Sequence, residues 1–183
     1  MIFTETKIKG AFIIDLEPRG DHRGAFSRAF CSKEFEAQGL TSNFVQTNYT
    51  VTYKKGTLRG LHYQVAPACE AKLIRCVKGA IYDFIVDLRP ESPTYLQSFG
   101  VELTAENRRS FYFPEMCAHG YQALTDDAEA IYQASAFYTP ECERGVRYND
   151  PAFKIELPTP VTEISEKDSS WSLYEVVPVG VSA

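Results

Sequence analysis

The run FVQTNYTVTYKKGTLRGLHYQ, residues 44–64, alternates residues of high strand propensity with polar ones, breaks at Lys54-Lys55-Gly56, and resumes as a second strand. Its second half, Gly56 to Gln64, carries two glycines inside a strand pattern. Glycine in a strand marks a bulge or a close approach of ligand to backbone, so Gly56 and Gly60 place Arg59 and His62 on a working surface. A strand histidine more often makes a structural hydrogen bond than acts as a base, and the near-neutral pKa of imidazole suits either role.

Outward from this stretch the chain reads mostly as strand. FIID precedes a turn at Arg19–Gly24, followed by a strand from Ala25 to Phe30. AKLIRCV, AIYDFIVDL, QSFGVEL, RSFYF, GYQAL and AEAIYQASAFY follow, separated by Lys-Gly, Pro, Asn and Asp-Asp breaks. Many short strands at this spacing predict a sandwich, jelly roll or barrel. Two short helices interrupt them. Ser32 reads as the N-cap of a helix over Lys33–Gln38 stopped by Gly39, and Ser165 to Asp168 has the S-x-x-D order of a cap opening a helical turn. The composition does not shift along the chain, so one domain over residues 1–183 is expected, with an irregular segment from about 158 to 183.

At 183 residues and 44% hydrophobic, the chain is long enough for one sizeable core. It has no apolar run able to span a bilayer, and MIFTETKIKG lacks a signal-peptide layout, so a cytoplasmic protein is expected. A net charge of -5 argues against a nucleic-acid partner, which calls for a basic surface. Arg59, Lys72, Arg75 and Lys78 cluster in sequence and suit a small phosphate or diphosphate, although alternating strand cations are also what a solvated face shows. Cys31, Cys69, Cys76, Cys117 and Cys142 are odd in number and form no C-x-x-C pair, which argues against both a disulfide framework and a zinc site.

RGLHYQ, AKLIRC, GAIYDFIVDLR, SPTYLQ, PEMCAHGY and IYQASAFYTPECERG together resemble the dTDP-4-dehydrorhamnose 3,5-epimerase family, in nearly the same order and spacing, from about Met1 to Asp168. The resemblance implies an all-β, cupin-type jelly-roll β-sandwich with a few short helices, assembled as a homodimer. It also implies a nucleotide-linked 4-keto-6-deoxy sugar as substrate. A ketone at carbon 4 acidifies the protons on carbons 3 and 5, so inversion needs a base on one face and an acid on the other, and no metal or organic cofactor.

By the same resemblance His62 is the base and Asp168 the carboxylate behind its second ring nitrogen, although an aspartate in a helix-start motif is usually only a cap. Tyr132 is the opposed proton donor, and Lys72 stabilises the enolate. His119 lines the sugar pocket. Arg59 and, from the partner subunit, Arg23 grip the diphosphate, while Gln46, Thr47, Asn48, Glu143 and Lys167 take the remaining binding positions. Tyr138 follows Tyr132 at even spacing, which puts both on one side of a strand, free to stack on base or sugar.

The chain departs from the family pattern in three places. Arg28 stands where the family commonly has a nucleotide-contacting glutamate, Met116 and Cys117 fall in the motif expected at the pocket rim, and Cys69 lies close to Lys72 in sequence. An epimerase inverting one carbon only, or acting on a different nucleotide sugar, stays open beside the 3,5-epimerase. Outside the family stand a metal-binding cupin, disfavoured because no His-x-His occurs among His22, His62 and His119, and a non-catalytic sugar-nucleotide sensor, which has no need of both His62 and Tyr132.

Overall fold

The computed structural model of the protein describes residues 1–176. In chain order the first elements are β1 (Ile2–Glu5), β2 (Phe12–Asp15), β3 (Arg19–Asp21), β4 (Gly24–Phe26) and helix α1 (Ser32–Ala37). There follow β5 (Gln46–Thr52), β6 (Thr57–Gln64), β7 (Lys72–Lys78), β8 (Ala80–Asp87), β9 (Ser98–Thr104), β10 (Ser110–Phe113), β11 (Cys117–Ala123) and β12 (Ala128–Ala134). The chain then gives β13 (Glu143–Gly145), β14 (Glu163–Ile164) and helix α2 (Glu166–Ser170). No helix among the described residues is long and apolar enough to cross a membrane.

One sheet runs β1-β2-β10-β7-β12-β5 and the other β13-β6-β11-β8-β9, with β14 added parallel to β6. The two face each other as a jelly-roll β-sandwich. Strand alternation explains the split of each strand's residues. On β7, Ile74 and Cys76 turn inward to the core shared with Ile81 and Ile85 of β8 and Tyr121 of β11. Leu73 turns outward, where it meets Phe35 of α1. The outer face of the second sheet is covered by the chain after β13: Val146 and Phe153 pack on Leu58, Leu61, Phe84 and Val86. Each such apolar side chain contributes about 1.5–3 kcal/mol on burial, enough to hold an irregular segment against a sheet.

The expected short helix forms, and Gly39 ends it in the left-handed region at φ 71°. The Leu40 N–H donates to Phe35 O and the Gly39 N–H to Glu36 O, the paired bonds of a Schellman stop. Its N-cap is Cys31, not Ser32, with no side-chain cap bond. The S-x-x-D reading holds in one direction, as Ser165 Oγ accepts from the Asp168 N–H at 3.0 Å. Arg19–Gly24 and the residues after it form a separate hairpin, β3 with β4. The strand expected through AEAIYQASAFY ends at Ala134, so Tyr138 is not on the strand of Tyr132. The irregular C-terminal segment is interrupted by β14 and α2, and its residues 177–183 lie outside those described.

Candidate active site

Gly60 decides the local geometry of the GTLRGLHYQ stretch. It sits at φ 97°, and a Cβ there would come within 2.5 Å of His119 O, so β6 and β11 approach closely only with glycine at this point. Beside it the β6–β11 register shifts between His119 and Gly120, a bulge that pairs His119 with His62. Both imidazoles thus enter one cavity of about 870 Å³, which Arg59, Lys72, Tyr132 and Asp168 also line. A smaller lobe of about 290 Å³ shares His62, Lys72 and Tyr132 and adds Gln46, Asn48, Tyr138, Glu143 and Glu70.

His62 Nε2 lies 2.6 Å from Asp168 Oδ1, and the Gly60 N–H donates to Asp168 Oδ2 at 3.0 Å. Burial alone would push the Asp168 carboxyl up, but the hydrogen bonds from His62 and Gly60, with the nearby imidazole and Ser165, hold it below its ordinary value. An ionised carboxylate can only accept, so Nε2 carries the hydrogen and Nδ1 carries the lone pair of a base. His62 is on β6 of one sheet, whereas Tyr132 comes from β12 of the other. Burial, followed by the charge of Glu70 and the neighbouring Tyr121, raises the Tyr132 phenol above its usual range against the lowering effect of Arg59, which keeps it protonated as an acid. Lys72 enters from β7 beside Tyr132, its strand paired with β12.

The remaining residues divide. His119 stacks on Phe113 at 4.6 Å between ring centroids, and its Nε2 lies 2.8 Å from Asp83 Oδ2. Arg59 is aimed by Thr52 Oγ1, which accepts from its Nε at 3.1 Å, and Thr52 in turn contacts the Tyr121 hydroxyl. At the smaller lobe, Glu143 accepts from Lys167 Nζ at 2.7 Å and from the Tyr138 hydroxyl at 3.0 Å, and Gln46 accepts from the Tyr138 N–H at 3.1 Å while donating to Asn48. Tyr138 therefore reaches the cavity from a loop. Thr47, exposed on the opposite face of β5, does not. Arg23 bonds to Asp21 on the exposed hairpin, and Arg28 bonds to Glu34 beside the amino terminus, both outside this cavity.

The basic cluster expected from the sequence is split by alternation at Arg75 and by a register shift between β7 and β12 before Lys78. Arg59 and Lys72 face the cavity, Arg75 turns to Ser110 on the outer face, and Lys78 pairs with Glu129. Cys117 belongs to the core, where burial pushes its thiol up to about 12, and neither Met116 nor Cys69 lines the cavity. Glu70, Asp83, Thr52 and Tyr121 belong to the site and carry no sequence motif. Only Glu70 had a legible signal, its place two residues before Lys72. Among the described residues, no group of three or more His, Cys, Asp and Glu side chains is placed to hold a metal ion.

A histidine backed by a carboxylate on one sheet, a phenol on the other and a lysine beside the phenol are the groups that an acid–base isomerase needs, held here on a jelly roll. The family model described as dTDP-4-dehydrorhamnose 3,5-epimerase matches residues 5–175. The enzyme of that name from Shigella flexneri is 42% identical over 165 residues, covering 90% of this chain and 91% of its own. The crystal structure of the Elizabethkingia anophelis enzyme superposes with a TM-score of 0.93 at 37% identity, over 95% of this chain and 96% of that one. That of a dTDP-6-deoxy-D-glucose-3,5-epimerase from Legionella pneumophila, in complex with dTDP-4-keto-L-rhamnose, gives 0.84 at 38% identity, over 91% and 89%. The chain belongs to the dTDP-4-dehydrorhamnose 3,5-epimerase family.

Proposed function

We propose that this protein inverts carbons 3 and 5 of dTDP-4-dehydro-6-deoxyglucose to give dTDP-4-dehydrorhamnose, as a single-domain, cytoplasmic homodimer. His62 Nδ1 removes the proton beside the ketone, Asp168 stabilises the imidazolium, Lys72 stabilises the enolate oxygen, and Tyr132 returns a proton from the other face. Each inversion breaks one C–H bond toward His62 and forms one from the Tyr132 hydroxyl, and proton exchange with water then returns His62 to its neutral form and Tyr132 to the phenol before the next, so nothing is oxidised and no cofactor is needed. The observation that carries this reading is the placement of His62 and Tyr132 on opposite sheets across one cavity, with Lys72 beside the phenol. His119 lines the sugar pocket, Arg59 meets the diphosphate, and the partner subunit's Arg23 completes that grip. Incubation with the substrate in heavy water, with deuterium located by NMR, tests it. Deuterium at both carbons and conversion to the rhamno product are expected, deuterium at one carbon restricts the activity to a single inversion, and none at either overturns the reading.

A further inference from the structure

Lys72 has a buried partner. Glu70, on the loop between β6 and β7, sets Oε1 2.8 Å from Lys72 Nζ, the two side chains only 10% and 11% exposed. The loop is tied on both sides. Gln64 Nε2 donates to Ala68 O at 3.0 Å, and the Ala71 N–H donates to Ser135 Oγ at 2.8 Å. Removing two charges from water costs several kcal/mol per ion, which their attraction offsets only in good geometry, so such a pair is weak grounds for stability. Its place in the lobe shared by Tyr132, Lys72 and His62 points to the reaction instead.

We propose that Glu70 is a positioning residue for proton transfer: it fixes the Lys72 ammonium where the ketone oxygen lies, and it sets a negative charge in the lobe that Tyr132 shares. This rests on the roles proposed above for Lys72 and Tyr132. The groups facing this corner are Arg59 and His62 of β6, Lys72 of β7, Asp83 of β8, Tyr121 and His119 of β11, and Glu143 of β13 with Tyr138 and Lys167. After burial, Glu70 is the largest of the influences that raise the Tyr132 phenol, ahead of Tyr121, and Arg59 opposes them. A hydrogen-bond acceptor at position 70 therefore holds Lys72, whereas a charge there also acts on Tyr132.

Two variants separate these effects. Glu70→Gln keeps an acceptor for Lys72 and loses the charge, and Glu70→Ala loses both. With formation of inverted product as the readout, both variants should move the alkaline limb of the pH profile to lower pH. Glu70→Ala should in addition lower the rate by about tenfold, the worth of one hydrogen bond to a charged group, and Glu70→Gln by less. In a Tyr132→Phe background, where deuterium wash-in from heavy water is the remaining readout, Glu70→Gln should leave the alkaline limb of exchange where it is. A limb unmoved in Glu70→Gln, or one that still moves without the phenol, overturns the proposal, and melting curves check that each variant is folded. Exchange by the unsubstituted protein with an unmoved limb removes only the role of Glu70, whereas no exchange at all removes the reaction itself.

Discussion

Tyr132 is the residue whose hydroxyl the chemistry isolates most cleanly. Phe keeps the ring against Ile74 and the inner core, so Tyr132→Phe should melt close to the unsubstituted protein and report on the hydroxyl alone. With His62 intact, deprotonation continues, but the proton returns only to the face it left or arrives from water. Deuterium should then enter carbon 3 or carbon 5 faster than inverted product appears. Equal loss of exchange and inversion would put the hydroxyl in enolate formation and move the opposed acid elsewhere. The carboxylate behind the base gives a second expectation. Because Asp168 is held below its ordinary value, the unfolded chain binds that proton more tightly, and the group's stability is fully present above about pH 4 and lost as pH falls through the folded value. Asp168→Asn should therefore be less stable than the unsubstituted protein near neutral pH, and the gap in denaturation midpoint should close in acid. A gap that is independent of pH would mean that Asp168 matters only through packing.

At the scale of elements, the site depends on how the C-terminal segment is pinned to β6, because that segment carries Asp168. Gln122, wholly buried on β11, donates from Nε2 to Thr159 O at 2.9 Å and accepts from the Thr159 N–H at 3.4 Å. Five residues after Thr159 the chain has joined β6 as β14, and α2 then starts. Gln122→Leu leaves buried backbone groups unpaired, a loss of about 1–3 kcal/mol by chemical denaturation. It should also slow exchange by loosening Asp168, and combined with Asp168→Asn it should slow exchange no further. Additive losses would separate Gln122 from the dyad. The elements themselves were legible where alternation and breakers are strong, as in β5 to β8, and where glycine stops a helix, as at Gly39. The His62–Asp168 contact was legible only through the family resemblance and not from spacing, since its partners are 106 positions apart and only the fold closes that distance. Asp83 was missed because a buried carboxylate reads in sequence like any strand charge, and Glu70 because its one cue, a place two residues before Lys72, does not show that the pair is buried. Tyr138 was placed on the wrong element because even spacing cannot show that a strand has ended. β13 and β14 are too short to carry a period.

On the scale of the whole molecule, β3 and β4 are the part that this chain leaves unused. Every residue of the hairpin is exposed, it pairs with neither main sheet, Phe26 is 73% exposed, and the Arg23 side chain is 78% exposed and bonds only within the turn. A lone two-stranded hairpin is marginal in water, so an exposed phenylalanine and arginine on one need something to pack against. In a twofold dimer, as proposed above, each hairpin would meet the same place on the other subunit, and the partner's Arg23 would be the one to reach the diphosphate. Mixing two inactive proteins tests this directly. Arg23→Ala lacks the donated arginine and His62→Ala lacks the base, and in a heterodimer of the two one site has both residues if Arg23 crosses the interface. Random reassociation should then restore about a quarter of the unsubstituted activity, because half the dimers are mixed and each holds one intact site of two. If Arg23 serves its own subunit, no site in any dimer has both groups, and the mixture should stay as inactive as its parts even when co-purification through a tag on one variant alone shows that the heterodimer has formed.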